Sequence, residues 1–518
     1  MGGIKLLVNA TILTMDRSFP VAEALAIRDG RIVAVGSTDE VLSLREREYE
    51  LVDLDGKTVL PGFVDAHNHF AIAALEGFWA DCRTPPLRTI PEIQAALRAA
   101  AGSTPPGEWI RGWGYHHANL AERRHPTRAE LDEAVPDRPA LLMHFSHHQC
   151  VANSKALAAA GIARGTPDPR GGEIARDKAG GPTGLLFERA MGPVEAASRE
   201  GSEARFSEVV AAASRRYAAC GITTVQDAAV GPVTERGYLD AQRAGQLAIR
   251  VQRMAVGASG WFDPPENRVR EQAAGRVLKL FVDGGYRCAM RLPREGGERT
   301  SGFLFYRQEE LADLLVAAWR AGWRVTCHAL GNWGVEVAVE GIEAALRREP
   351  EGQGRIRIDH AMFLTPGLIL RIRALGVFVV TQPTFIYDLG IRSDRLPPGL
   401  LTLPFGSLLR EGIPLAFSSD YPCGTLAPLT GIYAAASRRS RDGEAVGPEE
   451  KISVQAGLEA YTLGAARAGG LEGECGSLEA GKLADLVILD ANPLELPVEQ
   501  LPGLRVLKTL VAGRQLWP

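Results

Sequence analysis

The sequence lacks the features that mark secreted, membrane-spanning or nucleic-acid-binding proteins. Its seven cysteines are an odd number and show no C-x-x-C spacing, which argues against a disulfide framework and against a zinc ribbon. No stretch of about 18 uninterrupted apolar residues occurs, so we expect no membrane-spanning helix. Residues 1–15 lack a basic region followed by an apolar run and a cleavage site. We therefore predict a cytoplasmic protein.

Neither sign of charge is in excess. The chain carries 58 Lys and Arg residues against 62 Asp and Glu, a net charge of −4, and it contains no long basic run. We therefore expect neither a nucleic acid nor a membrane surface as a partner, and a small-molecule substrate fits better. The oligomeric state is not determined by these patterns, so a homo-oligomer stays open.

What the sequence does contain is a repeated alternation of short apolar runs and helical patterns. The runs are residues 221–225, 249–255, 277–282, 323–327, 356–358, 377–380 and 413–417. Segments between them, such as 309–321 and 335–348, show helical spacing of apolar residues. Together with a strand at 61–66, this predicts an α/β fold, a (β/α)8 TIM barrel. An open doubly wound sheet is the alternative, but no G-x-G-x-x-G follows an early strand.

Both ends of the chain show β patterns instead of this alternation. Asp29-Gly30 lies between two apolar runs and predicts a hairpin turn, and Ala512-Gly513 does the same near the other end. Isolated hairpins are at best marginally stable. We therefore expect residues 1–60 and 466–518 to build one small β-sandwich together.

The barrel then takes residues 61–465, interrupted by a long insertion. Residues 75–219, approximately, are too many for one strand-to-helix loop, and they include the turn-rich stretch 166–172. Helical patterns occur at 90–101 and 202–219. We predict that this insertion, which follows the first barrel strand, folds over the mouth of the barrel.

Residues that can bind a metal fall at the ends of the predicted barrel strands. In a strand, side chains alternate between the two faces, so the histidines of His67-Asn68-His69 point the same way. Active-site groups of such barrels lie at the carboxyl ends of the strands. Four neutral imidazoles with a carboxylate suit zinc or a similar divalent ion. The converging residues are His67, His69, Lys279, His328, His360 and Asp420.

Lys279 is the unusual member of this set, because an ammonium group cannot ligate a cation. Burial beside metal charge would lower the pKa of Lys279. The neutral amine could then react with carbon dioxide to give a carbamate, an N6-carboxylated lysine. A carbamate is an anionic oxygen ligand that can bridge two metal ions.

Motifs over nearly the whole chain carry a family resemblance. They are PGFVDAHNH at 61–69, VANSKAL at 151–157, TPDPRGGEI at 166–174, PTGLLFE at 182–188, GITTV at 221–225, KLFVDG at 279–284, IDH at 358–360, SDYP at 419–422 and GSLEAGKLADL at 476–486. Through these motifs the chain resembles the metal-dependent amidohydrolase superfamily. It is most similar to the amidohydrolase-3 branch, typified by YtcJ-like proteins and N-substituted formamide deformylases.

The resemblance implies a metal site and a reaction. It implies that His67, His69 and Asp420 hold one ion and that His328 and His360 hold a second, with carboxylated Lys279 between the two. The ions are expected to be Zn²⁺, one or two per chain. The reaction implied is cleavage of a non-peptide carbon–nitrogen bond, an amide, N-acyl or N-formyl bond, by metal-activated hydroxide. Asp420 would accept the hydroxide proton and pass it to the leaving nitrogen.

Other reactions on this scaffold stay open. An ester or lactone hydrolase would use the same hydroxide. Deaminases among the relatives place a glutamate shortly after the fifth-strand histidine, whereas residues 329–332 contain no acid. A non-catalytic metal-binding scaffold is a further alternative, although no expected ligand is missing.

Several residues are predicted to line the substrate pocket. By resemblance, His148 contacts the substrate. Trp113, Phe385 and Tyr421 are candidates for aromatic walls of the pocket, and plain packing is the alternative for them. Many relatives carry a histidine where this chain has Phe385, which predicts an apolar group on the substrate. Asp283 either faces the site or serves a turn.

The remaining histidines all fall within the insertion. A second metal site there is conceivable, but neighbours such as His147 and His148 point to opposite sides of a strand. The other candidates are His116, His117, His125 and His144.

Overall fold

The computed structural model describes residues 3–203, 205–256, 276–285, 287–294, 297–390 and 396–518. Its centre is one sheet of eight parallel strands, in which neighbours along the chain are neighbours in the sheet. The strands are β1 Phe63–Asn68, β2 Ile222–Val230, β3 Arg250–Ala255, β4 Val277–Phe281, β5 Arg324–Ala329, β6 Ile356–His360, β7 Phe378–Thr381 and β8 Leu415–Phe417. Each predicted apolar run thus forms a strand, and the (β/α)8 barrel is confirmed.

Hydrogen bonds join the carboxyl end of β1 to the segment that follows β8. The Asp420 amide donates to His67 O, and the His69 amide donates to Tyr421 O, both at 3.0 Å. The buried Asp65 carboxylate accepts the Ser419 amide at 3.0 Å. These bonds hold the two chain segments that carry predicted ligands side by side.

Helices cover the outside of the barrel. The helix Asn332–Arg348 buries Val335, Val339 and Ile342, an apolar face at helical spacing. In the described ranges, the α-helices outside the insertion are Thr38–Leu42, Phe70–Leu75, Pro232–Arg243, Gln308–Arg320, Asn332–Arg348, Pro366–Leu375, Thr384–Leu389, Phe405–Arg410, Pro428–Ser437, Val454–Ala460 and Leu463–Gly469. None of the helices that the structure describes is both long and apolar enough to cross a lipid bilayer.

The two ends of the chain share a β-sandwich, as predicted. Leu486–Leu489 pairs antiparallel with Thr58–Pro61, so a C-terminal strand lies beside an N-terminal one. Both predicted hairpins form. One sheet contains Arg31–Gly36, Ala24–Arg28, Ile4–Val8 and Tyr49–Asp53; the other contains Arg514–Trp517, Val506–Val511, Leu486–Leu489, Thr58–Pro61, Thr11–Leu13 and Val21–Ala22.

The insertion contains a six-stranded sheet that the periodicity did not predict. Its strands are, in order, Gly172–Arg176, Pro182–Glu188, Gln149–Ala152, Ala140–His144, Ile110–Tyr115 and Ala80–Asp81. The three strands Gln149–Ala152, Ala140–His144 and Ile110–Tyr115 are buried along their whole length. A strand buried on both faces shows no apolar–polar alternation, which is why the pattern was missed.

The helices of the insertion agree better with the sequence pattern. Ile90–Ser103 is the predicted helix, begun by a capping box between Thr89 and Glu92. The pattern at 202–219 corresponds to the helix Phe206–Ala219, whereas Ser202 belongs to the preceding helix, Gly192–Glu203. The insertion also contains two shorter helices, Arg128–Ala134 and Ser154–Ala159. Outside the insertion, two small antiparallel strand pairs form: Met290–Arg294 with Gly297–Ser301, and Phe363–Leu364 with Leu401–Thr402.

Candidate metal centre and substrate cavity

The structure brings the histidines and the aspartate together at the carboxyl ends of the barrel strands. The ring centroid of His67 is 5.4 Å from that of His69 and 4.7 Å from that of His360. The rings of His328 and His360 are 4.3 Å apart. Asp420 Oδ1 lies 3.2 Å from His69 Nε2 and 3.5 Å from His67 Nε2. All of these side chains are buried.

Two of these residues have unusual backbone conformations. His360 has a φ of 78° and Asp420 a φ of 54°. The left-handed region is uncommon for residues other than glycine, and such residues cluster at functional sites. Both side chains lie beside His67: the ring centroid of His360 is 4.7 Å from that of His67, and Asp420 Oδ1 is 3.5 Å from His67 Nε2.

Hydrogen bonds determine which ring nitrogen faces the centre of the group. In three of the histidines, Nδ1 contacts an oxygen that can accept a hydrogen bond. The pairs are His67 Nδ1 with Asp359 Oδ2 at 2.6 Å, His69 Nδ1 with Ala228 O at 3.0 Å and His360 Nδ1 with Gln382 Oε1 at 2.8 Å. Each Nδ1 therefore carries the proton, and each Nε2 presents a lone pair.

This arrangement fits a metal ion. The Nε2 lone pairs of His67 and His69 face Asp420 Oδ1. None of these three atoms carries a hydrogen to donate, so their close approach is unfavourable unless a cation lies between them. The ligand atoms of these three residues lie within 4.8 Å of one another. Nε2 of His328 and of His360 is buried, without a hydrogen-bond partner in the described part of the chain. Imidazole nitrogens and a carboxylate are ligands that zinc-like ions prefer.

The protonation of the histidines agrees with metal binding. Burial, together with the nearby Lys279, lowers the pKa of His67 to about 4. Burial and the neighbouring His67 lower the pKa of His360 to about 3. Burial holds the pKa of His328 well below its ordinary value. At neutral pH these imidazoles are neutral, the form that ligates a cation.

Lys279 lies against the same group. Its Nζ is fully buried, 3.4 Å from His67 Nδ1 and 3.3 Å from Asp359 Oδ2. Burial lowers the pKa of Lys279, although Asp359 opposes this effect. The amine is therefore within reach of the centre and is made less basic by its surroundings.

Asp359 is a site residue that the sequence reasoning did not assign. Besides contacting His67 and Lys279, its carboxylate lies 2.9 Å from Arg357 Nε. Burial opposes ionisation, but Arg357 and Lys279 hold the pKa of Asp359 well below its ordinary value. The anion fixes the tautomer of His67. Its only sequence signal was its place inside the IDH motif at 358–360.

A cavity of about 400 Å³ lies over the group. Two of the predicted pocket residues, His148 and Phe385, line it together with His328, His360 and Asp420. Its other lining residues include Phe145, Leu330, Met362, Phe363 and Leu389, which are apolar. The cavity therefore combines the histidine and aspartate side chains of the candidate metal centre with an apolar wall.

The other two predicted pocket residues lie in an adjoining cavity. Trp113 and Tyr421 line a space of about 300 Å³ that shares His116, Phe145 and other wall residues with the first. They do not line the cavity that contains His328 and His360. The two cavities share six lining residues, so Trp113 and Tyr421 lie next to the space that His148 and Phe385 line.

Asp283 serves a turn next to the site. Its carboxylate accepts the amides of Ala289, Leu330 and Gly331, each at 2.9 Å. Oδ1 lies 3.7 Å from His328 Nε2. Burial raises the pKa of Asp283 to about 7. Its main contacts are thus with loop backbone, which places the segment after His328.

Three insertion histidines form a second cluster, since ligand atoms of His116, His117 and His144 also lie within 4.8 Å of one another. Hydrogen bonds already engage these rings. His117 Nδ1 lies 3.3 Å from His144 Nε2, and His116 Nδ1 accepts the Ala118 amide at 3.1 Å. An imidazole that accepts at Nδ1 carries its proton on Nε2, so His116 presents no lone pair to a metal. Hydrogen-bonded packing accounts for this cluster.

Known proteins resemble this chain over nearly its whole length. The profile of the amidohydrolase family matches residues 50–517. The N-substituted formamide deformylase of Arthrobacter pascens is 34% identical, over 98% of this chain and 97% of its own. The putative amidohydrolase YtcJ of Bacillus subtilis strain 168 is 30% identical over 97% of each chain. The crystal structure of an uncharacterized metal-dependent hydrolase from Pyrococcus furiosus covers 95% of this chain and 100% of its own, with 26% identity and a TM-score of 0.72.

Proposed function

This chain belongs to the amidohydrolase family, and on that premise we propose the ligands, the bond and the substrate type of its reaction. It is a metal-dependent hydrolase of carbon–nitrogen bonds other than peptide bonds. The bond that we propose is an N-acyl or N-formyl amide. The observation that carries the proposal is the group of Nε2 lone pairs and the Asp420 carboxylate at one end of the cavity.

The proposed ligands divide into two sets. His67, His69 and Asp420 would hold one Zn²⁺ ion, and His328 and His360 a second. Lys279, as its carbamate, would lie between them, a position supported by its Nζ lying 3.5 Å from His67 Nε2. When bound, such ions supply a water of lowered pKa and polarise the substrate carbonyl.

Asp420 is the residue that we propose to move the proton. A cation held beside Asp420 would keep its side chain a carboxylate at neutral pH. The hydrogen bond that its backbone N–H donates to His67 O and its position beside His69 Nε2 hold the carboxylate at the rim. It would accept a proton from the attacking water and donate it to the leaving nitrogen. Without that proton an amide cannot expel its amine.

The substrate type follows from the cavity wall and from a relative. The A. pascens relative is named for N-substituted formamides. Phe385, Met362 and Leu330 line the cavity next to the polar end. An apolar N-substituent would remove this surface from water, a favourable contribution. We therefore propose amides with a small acyl group and an apolar group on nitrogen.

The test is a set of N-formyl and N-acyl amines assayed with the purified enzyme. We expect amine release that stops after metal removal by a chelator and returns after addition of Zn²⁺. Turnover that survives complete metal removal would contradict the proposal. Esters and lactones in the same set test the alternative of oxygen-ester hydrolysis, and aminated heterocycles test a deaminase. Metal binding without turnover on any of them would favour a scaffold protein.

Phe385 provides a test of the proposed substrate type. In Phe385→Ala we expect kcat/KM for an N-arylalkyl formamide to fall about tenfold, because the aryl group of the substrate loses its apolar contact with the Phe385 ring. The matched control is N-methylformamide, whose methyl group offers little apolar surface for contact with the ring, so its kcat/KM should change little. An equal loss for both substrates would mean that Phe385 does not select the N-substituent.

We also propose the domain limits and the location in the cell. The limits are residues 1–60, 61–465 and 466–518, with the insertion at about 75–219. The pairing of Thr58–Pro61 with Leu486–Leu489 supports a sandwich built from both ends. The cytoplasm is supported by cysteines that are all free thiols.

A further inference from the structure

One edge of the β-sandwich has no neighbouring strand. Tyr49–Asp53 pairs in parallel with Ile4–Val8, and in the described part of the chain no strand lies on its other side. Such an edge presents backbone N–H and C=O groups to any strand that approaches it. Proline, lysine and a β-bulge protect many edges, and Tyr49–Asp53 contains none of the three. The edge can therefore accept a further strand.

The existing pairing determines which backbone groups point away from the sheet. The Leu54 amide donates to Val8 O at 3.0 Å, so the backbone of Leu54 faces the neighbouring strand. In a parallel pair, successive residues direct their N–H and C=O groups alternately toward the neighbour and away from it. By this alternation, Tyr49 and Leu51 direct their backbone groups outward.

The same two residues carry apolar side chains that the fold leaves uncovered. Tyr49 is 44% exposed and Leu51 is 47% exposed. They lie in register with Ile4 and Leu6, so the four side chains point to one face of the sheet. Ile4 and Leu6 are buried in a core that the helix Thr38–Leu42 helps to form. Exposed apolar surface and outward-facing backbone groups therefore coincide at Tyr49 and Leu51.

We propose that this edge pairs with the same edge of a second copy of the chain. The two strands would run antiparallel about a two-fold axis, and the two four-stranded sheets would become one continuous sheet. A two-fold contact has to be self-complementary, because each copy offers the same surface. This inference concerns assembly and does not depend on the proposed reaction.

The sequence of the strand selects one register for this pairing. Residues whose backbone groups point outward have to face each other, so Tyr49 and Leu51 lie opposite odd-numbered residues of the second copy. With Tyr49 opposite Leu51, an aromatic ring meets an aliphatic side chain, and Arg47 lies opposite Asp53. A shift by two residues places either Leu51 opposite Arg47 or Tyr49 opposite Asp53. Both complementary pairs are then lost.

The charges near the two-fold axis are compatible with this register. Glu50 lies on the axis and faces its own copy, which is unfavourable for unpaired like charges. In each copy, however, Lys5 Nζ lies 3.1 Å from Glu50 Oε2, so each acid has its own cation. Asn9 donates to the Asp53 carboxylate at 2.9 Å and fixes its position, and further lone pairs remain to accept from Arg47.

Sedimentation velocity of the full chain tests the proposal. We expect the sedimentation coefficient to rise from that of a monomer to that of a dimer between about 1 and about 100 µM, since one strand pair buries less surface than a permanent dimer does. Leu51→Lys replaces the apolar contact by a charge, so the dissociation constant should rise at least about tenfold. A wild type that stays monomeric, or a dimer unchanged by Leu51→Lys, would overturn the proposal.

The matched control for this variant is Leu370→Lys. Leu370 is 54% exposed and belongs to the barrel helix Pro366–Leu375, outside the sandwich. The substitution removes the same apolar group and adds the same charge, so the dissociation constant should stay at its wild-type value. An equal loss in both variants would mean that the edge strand is not the interface.

A cross-link tests the register without weakening the apolar pair. In the proposed dimer the two Glu50 Cα atoms are about 4.5 Å apart, a distance that a disulfide spans. Under mild oxidation, Glu50→Cys should therefore give a covalent dimer on a non-reducing gel. Glu48→Cys is the control, because its two copies would lie about 13 Å apart along the strands. It should stay monomeric on the gel, as should the wild type with its seven cysteines. Any other pattern would refute the pairing.

Discussion

Replacement of Asp420 by asparagine should leave metal bound and lower kcat at least about a hundredfold. The amide oxygen of asparagine can occupy the place of Oδ1, which lies 3.2 Å from His69 Nε2. It cannot accept a proton, so the leaving nitrogen is not protonated and the amine stays attached. Metal content by mass spectrometry of the purified variant, together with steady-state kinetics, checks this result.

The control for this change is an aspartate of similar chemistry far from the site. Asp313 is exposed and pairs with Arg348 at 2.7 Å. Asp313→Asn removes the same charge, and we expect wild-type kinetics, because surface ion pairs contribute little to stability. Wild-type turnover in Asp420→Asn would remove Asp420 from its proposed role, whereas loss of metal would make it chiefly a ligand.

Truncation of Lys279 to alanine should lower kcat/KM on the order of a thousandfold and reduce the metal content. The reason is that a bridging ligand would be lost from between the two proposed ions. In the protein without metal, the same truncation also removes a cation 3.3 Å from Asp359 Oδ2. Metal analysis and kinetics of Lys279→Ala distinguish a ligand from a residue that only balances charge.

Added small molecules sharpen this test. The truncated side chain leaves space for a short carboxylate or a short amine. If Lys279 acts as a carbamate, propionate should restore part of the activity and metal content of Lys279→Ala, because it supplies anionic oxygens. If Lys279 acts as an ammonium partner of Asp359, propylamine should restore them instead. Because propylamine can itself form a carbamate with carbon dioxide, only its restoration of activity in buffer free of carbon dioxide and bicarbonate would refute the carboxylated form.

Much of the catalytic fold was readable from local patterns. The helix Asn332–Arg348 and the strand Ile356–His360 both match their apolar runs, because spacing along the chain reflects which face is buried. His67 and Asp420 were predicted to meet because a parallel barrel brings the carboxyl ends of its strands together, and their side chains lie 3.5 Å apart. That rule needs only the order of strands, which the sequence contains.

The insertion shows where such reasoning ends. Its sheet was missed because its central strands are apolar on both faces and pair with distant segments. Trp113 and Tyr421 were expected beside Phe385, but they lie in the adjoining cavity. Which cavity a wall residue reaches depends on how the insertion packs on the barrel, and no local pattern records that packing.

The partners of the site residues were decided by the folded chain alone. His67 Nδ1 meets Asp359, which is 292 residues away in sequence, and His69 Nδ1 meets Ala228 O, which is 159 residues away. Composition and periodicity report burial, and burial is a property of each short segment. Hydrogen-bond direction, tautomer and charge balance depend on distances between segments that have no fixed relation until the barrel closes and the insertion folds against it. The order of the strands and the types of candidate ligand could therefore be predicted from local sequence, whereas the orientation of these side chains arises only from tertiary contacts.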